Sequence, residues 1–179
     1  LSRQIMTDLE LKNKDFDAIL AALRRLEFKL KKKKSFEQQI KVLLKDTKLE
    51  IKNKIMVCIL EKNILQNNLI DLQKEIKKLR GELQLIEGVQ AITIITTQEH
   101  EPLIKKFFRN KILKINKNLV EIILRSPDSL EEVPGVMGYL YSLFLEQSVN
   151  IMETMSCWTD TIFVIEEKDL EKTVKMLSF

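Results

Sequence analysis

The chain has 179 residues, 45% hydrophobic and 31% charged, with 4 Gly and 3 Pro. That length suits one domain or two or three small modules, and no uncharged stretch approaches the ~20 apolar residues of a membrane span. The net charge of +4 is uneven: residues 1–50 hold 13 Lys and Arg against 8 Asp and Glu, the rest 17 against 18. The opening residues from Leu1 show no secretory pattern of basic stretch, apolar core and small-residue cleavage site. Cys58 and Cys157 stand 99 positions apart in apolar runs. They read as buried thiols rather than a disulfide framework, so a cytoplasmic chain is expected.

Ser2 is placed to cap a short helix, Arg3 to Leu9, with Ile5 and Leu9 on one face. A polar stretch, Glu10 to Lys14, ends it. Phe16, Ile19, Leu20, Leu23 and Leu26 then recur at helical spacing, predicting a second helix from about Asp15 to Leu30, capped by Asp15 or Asn13. A third short helix is expected from Ser35, carrying Phe36, Ile40, Leu43 and Leu44.

After Leu49 the period changes to two. Ile51, Ile55, Val57 and Ile59 alternate with Lys52 and Lys54, then with Met56, Cys58 and Leu60, a strand whose second half is buried on both faces. Leu69, Leu72, Ile76 and Leu79 form the stripe of a helix capped by Asn67 or Asn68 and closed by Gly81. Strands Glu82–Ile86 and Gln90–Thr97 follow as a hairpin, then the helix Pro102–Phe108. The same order recurs: strand Leu119–Arg125, helix Pro134–Glu146, strands Asn150–Cys157 and Thr161–Glu166, and a closing helix with Leu170, Val174 and Leu177. Both halves read β-α-β-β-α, a duplicated unit. That order favours an α+β ferredoxin-like sandwich, with helices on one face of an antiparallel sheet. The expected architecture is a helical module over 1–47 and two such units over 48–116 and 117–179. Side-by-side halves, or two chains, would cover the remaining sheet face and edges.

Residues of the second half carry a family pattern. The strand Val120-Glu121-Ile122-Ile123-Leu124 leads to the turn Val133-Pro134-Gly135-Val136 and the helix Met137–Gln147. Ser148-Val149-Asn150-Ile151 and a hairpin through Thr159-Asp160-Thr161-Ile162-Phe163 complete it. This stretch of about 60 residues resembles the ACT domain, the small regulatory module named after aspartate kinase, chorismate mutase and a prephenate dehydrogenase. Ser148 stands where Gly is usual. The resemblance implies an amino-acid effector at Val133, Pro134, Gly135, Val136, Asn150, Ile151, Asp160 and Thr161, often between two copies of the domain. The chemistry is compatible: unpaired helix-start N–H groups suit a carboxylate, and Asp160 could pair with an ammonium. In the first half, Lys62-Asn63-Ile64-Leu65-Gln66-Asn67-Asn68 replaces the Pro-Gly turn, so that copy is expected to be structural.

The series Ile5, Leu9, Leu11, Phe16, Ile19 and Leu20 resembles a degenerate helix-turn-helix, with Met6 where Ala is usual and Glu10 where Gly is usual. Lys12, Asn13, Lys14, Asp17, Ala18 and Ala21 would then face a DNA groove, and Arg24 and Arg25 its backbone. Asp17 opposes this, because a carboxylate repels phosphate unless a cytosine amine donates to it. A basic helix is also simply a solvated one, or a docking segment.

Catalytic and metal signatures are missing. His100 is the only histidine and reads as a surface or capping residue. Two distant cysteines cannot supply a zinc site, and glycines at 81, 88, 135 and 138 make no phosphate loop. Met152, Met155 and Trp158 read as core or interface. The expectation is a non-enzyme without a cofactor, a homo-oligomer with an even number of subunits. It is first an amino-acid-responsive transcription regulator, alternatively an ACT-type regulatory subunit docking onto a biosynthetic enzyme.

Overall fold

The computed structural model describes Gln4 and residues 16–179, the side chains of 30–35 excepted. Gln4 apart, the helix expected at Arg3–Leu9 and the turn after it lie outside the described residues. Helix α1 (Phe16–Lys45) is one element of 30 residues, so the break expected before Ser35 does not occur. Four lysines at 31–34 are good helix formers with no Gly or Pro among them, and a single Ser is too weak to stop propagation.

The remaining elements follow the expected order. They are β1 (Lys48–Glu61), α2 (Gln66–Lys78), β2 (Leu83–Glu87), β3 (Ala91–Thr97) and α3 (Glu101–Phe108), then β4 (Ile112–Arg125), α4 (Val136–Glu146), β5 (Ile151–Cys157), β6 (Asp160–Glu166) and α5 (Leu170–Met176). Leu65, not Asn67 or Asn68, is the residue before α2, and no side chain caps that helix. Arg80, with φ 58°, ends α2 in the left-handed region, and Gly81 N–H bonds back to Ile76 O at 2.9 Å. The end of α4 repeats this: Ser148 has φ 52° and Val149 N–H reaches Phe144 O at 2.9 Å. Both are Schellman closures built on a non-glycine residue.

The six strands form one antiparallel sheet in the order β2-β3-β1-β4-β6-β5. At its centre, two strands of 14 residues each lie side by side, β1 and β4. The sequence reading began β4 at Leu119; its first seven residues pair with the second half of β1, from Val57↔Asn116 to Leu60↔Ile112. The first half of β1 pairs with the second half of β4, Lys48↔Arg125 to Lys52↔Glu121. Between these stretches the register slips and returns, across Lys52/Ile55 and Ile55/Val57. Lys54 and Asn118, both with φ 57°, sit at the two irregularities. The local sequences correspond: Ile51-Lys52-Asn53-Lys54-Ile55 and Ile115-Asn116-Lys117-Asn118-Leu119. A bulge in each strand bends the sheet and increases its twist.

The bend decides what is buried. One face carries the helices, with Met56, Cys58, Leu60, Leu72, Ile76, Ile104 and Phe108 packed in the first half. In the second half Val120, Ile122, Leu124, Leu140, Phe144 and Phe163 pack together with Ile40, Leu43 and Leu44 of α1. The boundary expected after residue 47 therefore follows helical residues that belong to the second half's core. Of the two covers expected for the opposite face, side-by-side halves or two chains, the first is found: Val57, Ile95 and Val164 there are fully buried within one chain. They cluster with Ile86 of β2 and Met155 of β5, strands that a flat sheet would hold ~24 Å apart at ~4.8 Å per strand. The sheet is curled, and its two hairpins close over the inner face.

Cys58 is buried, which raises its thiol pKa to about 11, with a smaller contribution from the nearby Glu101 carboxylate. Cys157, expected to be buried, is exposed at the end of edge strand β5. Met152 and Met155 pack on the inner face as expected, whereas Trp158 sits in the β5–β6 turn with φ 52°, 64% exposed. No helix among the described residues is long and apolar enough to cross a membrane.

Left-handed backbone strains an L side chain and is free for glycine. Ser148→Gly is expected to stabilise the fold by about 0.5–1 kcal/mol, read as a higher urea midpoint at unchanged m-value.

Candidate effector-binding site

The loop from β4 to α4 is held at both ends. Ser126 N–H donates to Thr159 O at 2.9 Å, and the hydroxyls of Thr47 and Ser126 lie 3.0 Å apart, joining the end of α1 to it. A 3-10 turn over Asp128–Glu132 leads to Pro134 and Gly135. Gly135, the cap residue of α4, has φ +90°. A Cβ there would meet only Ile40 Cδ1, at 3.8 Å. The glycine is thus required by the left-handed backbone, not by a close approach. Among the described residues no side chain caps the first turn of α4, whose N–H groups have no partner within the helix.

Beside this turn lies a cleft of about 470 Å³, walled by Phe36, Glu37 and Ile40 of α1 and by Pro134, Gly135, Gly138, Tyr139 and Ser142. The Ser142 hydroxyl donates to Tyr139 O at 2.7 Å. Pro134 and Gly135 were read from the sequence; the α1 residues were not, because nothing in the pattern says which helix covers the turn. Gly138, inside an apolar helix, was the available signal.

The other expected residues separate. Val133 is half-buried against the second-half core, and Val136 is in it. Thr161 is buried and directs its hydroxyl toward Met137 Sδ at 3.9 Å, so it shares the Gly135 end of the sheet. Strand alternation puts Asp160 on the face opposite Thr161, away from α4. Asn150 and Ile151 lie at the far end of the hairpin, since Ile151 pairs with Ile165 and Cys157 with Asp160. Six residues at ~3.4 Å place them ~20 Å from that end. Within one chain, then, 133–136 and Thr161 share one end and one face, Asp160 lies at that end on the other face, and 150–151 lie at the far end. Lys12, Asn13 and Lys14 lie outside the described residues; Arg24 and Arg25 are exposed on α1, away from this cleft.

A second polar group was not anticipated. Glu121, 2% exposed, accepts a hydrogen bond from Gln84 Nε2 at 2.9 Å and lies 3.7 Å from Lys52 Nζ. Gln84 belongs to β2, three strands away in the sheet order, so only the curl brings these groups together. Lys52 also pairs with Glu82, and Arg125 with Glu50 at 2.8 Å. Burial lowers the Lys52 pKa, but its hydrogen bond to Glu82 and the fields of Glu121, Glu82 and Glu50 outweigh this and leave it raised. Glu121 is raised because desolvation of its carboxylate exceeds what Gln84 and Lys52 return.

Of the surface or capping role expected for His100, the surface is excluded: it is buried at the cap position before α3, where its side chain makes no capping hydrogen bond. Its Nε2 has no hydrogen-bond partner among the described residues and lies 3.8 Å from Glu99 Oε1. Gly81 makes room for it, since a Cβ there would collide with the imidazole and with Ile76 Cγ2.

No family model matches the sequence, and no curated protein matches it. Among solved structures, the fold is similar to that found in aspartate kinases and in a regulatory subunit of aspartate kinase. Aspartate kinase from Clostridium acetobutylicum superposes with TM-score 0.61 at 15% identity, over 73% of this chain and 33% of the enzyme. The chain thus spans about a third of that protein. The ligand-free regulatory subunit of aspartate kinase from Thermus thermophilus gives 0.55 at 10% identity, over 72% and 92% of the two chains. A structure of aspartokinase alpha and beta subunits gives 0.57 at 9% identity, over 72% and 93%.

Three substitutions probe these buried groups. A raised carboxyl pKa stabilises the fold below the unfolded value of ~4.3 and loses that contribution as pH rises through the folded pKa. Glu121→Gln keeps the shape and the Gln84 partner, and leaves Lys52 its two other carboxylates. It is expected to raise the urea midpoint at about pH 7 and to converge with the parent near pH 4. Gly81→Ala is expected to destabilise by about 1–3 kcal/mol; combined with His100→Ala it should cost less than the two separate losses in a double-mutant cycle.

Proposed function

We propose that this chain is a non-catalytic, amino-acid-sensing regulatory module of the ACT type that docks onto a biosynthetic enzyme. In this reading residues 48–116 and 117–179 are two ACT-like units of ferredoxin-like design, and only the second holds effector. The observation that carries it is the mutual coverage with the Thermus regulatory subunit, 72% of this chain and 92% of that one. The open first-turn N–H groups of α4 behind Gly135 suit the effector's carboxylate. Asn150 and Ile151 would come from a second copy. Edge strand β5 paired antiparallel with its counterpart would set residue 151 of one chain opposite residue 157 of the other.

The segment 1–47 is the docking element. On α1, Leu26 is 50% and Phe28 70% exposed, apolar surface that suits a protein partner. The exposed Arg24 and Arg25 favour a second reading, the transcription regulator, which the structural neighbours do not support.

Thermal melting against the twenty amino acids tests the first reading. One of them at ~100 Kd is expected to add about 2.7 kcal/mol of stability and raise Tm; if none does, effector sensing is wrong. Titration with random duplex DNA tests the second. Affinity that falls steeply with salt would restore it, and a flat, weak response removes it.

A further inference from the structure

We propose that the cleft between α1 and α4 accepts an effector with an apolar side chain, and that α1 reports its occupancy. This rests on the amino-acid reading above and goes on to name the ligand class and the moving element. Gly138 is the starting observation. Glycine within a helix costs stability relative to alanine, so it needs a reason. Its φ is not in the left-handed region, and a Cβ built there meets no atom within 4 Å outside its own helix. Neither backbone nor packing requires it. What its missing side chain leaves is the floor of the 470 Å³ cleft.

The walls select the guest. Phe36, Ile40, Pro134 and the Tyr139 ring are apolar, and the Ser142 hydroxyl is already engaged with Tyr139 O. Glu37, the one charged wall residue among the described residues, is already engaged in an interaction of its own and would repel an anionic side chain, whereas an aliphatic or aromatic side chain gains by burial against the other walls. Because one wall is α1 and the other α4, such a guest touches both helices. The last turns of α1 are anchored by Ile40, Leu43 and Leu44 in the second-half core. The helix extends from there for 30 residues in all, ~45 Å at 1.5 Å each. A guest that binds better with α1 seated shifts α1 toward that position, and a small tilt at the anchored end is amplified at Arg24 and Arg25.

Full-length protein and two variants test this. Leu, Ile, Val, Met or Phe is expected to raise Tm and to slow tryptic cleavage after Arg24, Arg25 and Lys29 severalfold. Gly138→Ala, whose Cβ enters open space, should remain folded and weaken that amino acid about tenfold; Gly138→Leu should abolish the response. If only polar or charged amino acids raise Tm and Gly138→Ala leaves them unaffected, this inference is overturned while effector sensing stands. If the apolar response is lost in the variants but cleavage within α1 never depends on ligand, the reporting role of α1 is overturned. If no amino acid shifts Tm, both readings fall.

Discussion

The pairing of β1 with β4 is the constraint on which the rest of the molecule depends. Each is long enough to serve both halves: its outer stretch closes one half's sheet and its inner stretch opens the other's. The bulges at Lys54 and Asn118 sit where each strand passes from one role to the other. Straight strands of this length would give a flat sheet with one dry and one wet face. Bent ones let Ile55, Val57 and Ile95 of one half pack against Leu119 and Val164 of the other. A single chain thereby buries a face that two small sheets would otherwise leave to a partner.

The same bend makes the interior partly polar. Glu121 occupies an inward position in Leu119–Leu124, a stretch otherwise made of Ile, Val and Leu, and it survives there because curvature delivers Gln84 and Lys52 to it. Desolvation still dominates its pKa, so the group is a cost the fold carries. His100 and Gly81 form a smaller arrangement of this kind, a buried ring accommodated by an absent side chain. In both places a polar residue of a strand or turn is enclosed by an element distant in sequence.

The candidate site follows from the other face. Helix α4 begins at a glycine whose backbone is left-handed, and the C-terminal turns of α1 lie across that beginning. The cleft therefore belongs to a contact between an N-terminal helix and a unit that begins some seventy residues later. Core and cleft meet at Ile40, which packs in the second-half core, lines the cleft and is what a Cβ on Gly135 would touch.

Local pattern sufficed for much of this. Period-two and period-3.6 spacing located every described strand and helix of 48–179, their repeated order, and the Pro134–Gly135 turn, because these signals reside in neighbouring residues. It failed where the deciding contact is remote. The first half of β4, Leu113 and Lys114 among it, alternates weakly and is a strand because β1 pairs with it. Residues 30–35 continue a helix that composition alone seemed to interrupt. Asn150 and Asp160, which the family resemblance assigns to one effector site often shared between two copies, lie at opposite ends of a hairpin within one chain. Sequence by itself settled which segments exist and in what sequence they come, since backbone preference and amphipathic spacing act over a few residues. The curl, the buried Glu121 and the helix that walls the cleft depended on which distant surfaces meet, and hydrophobic burial settles that without leaving a local signature.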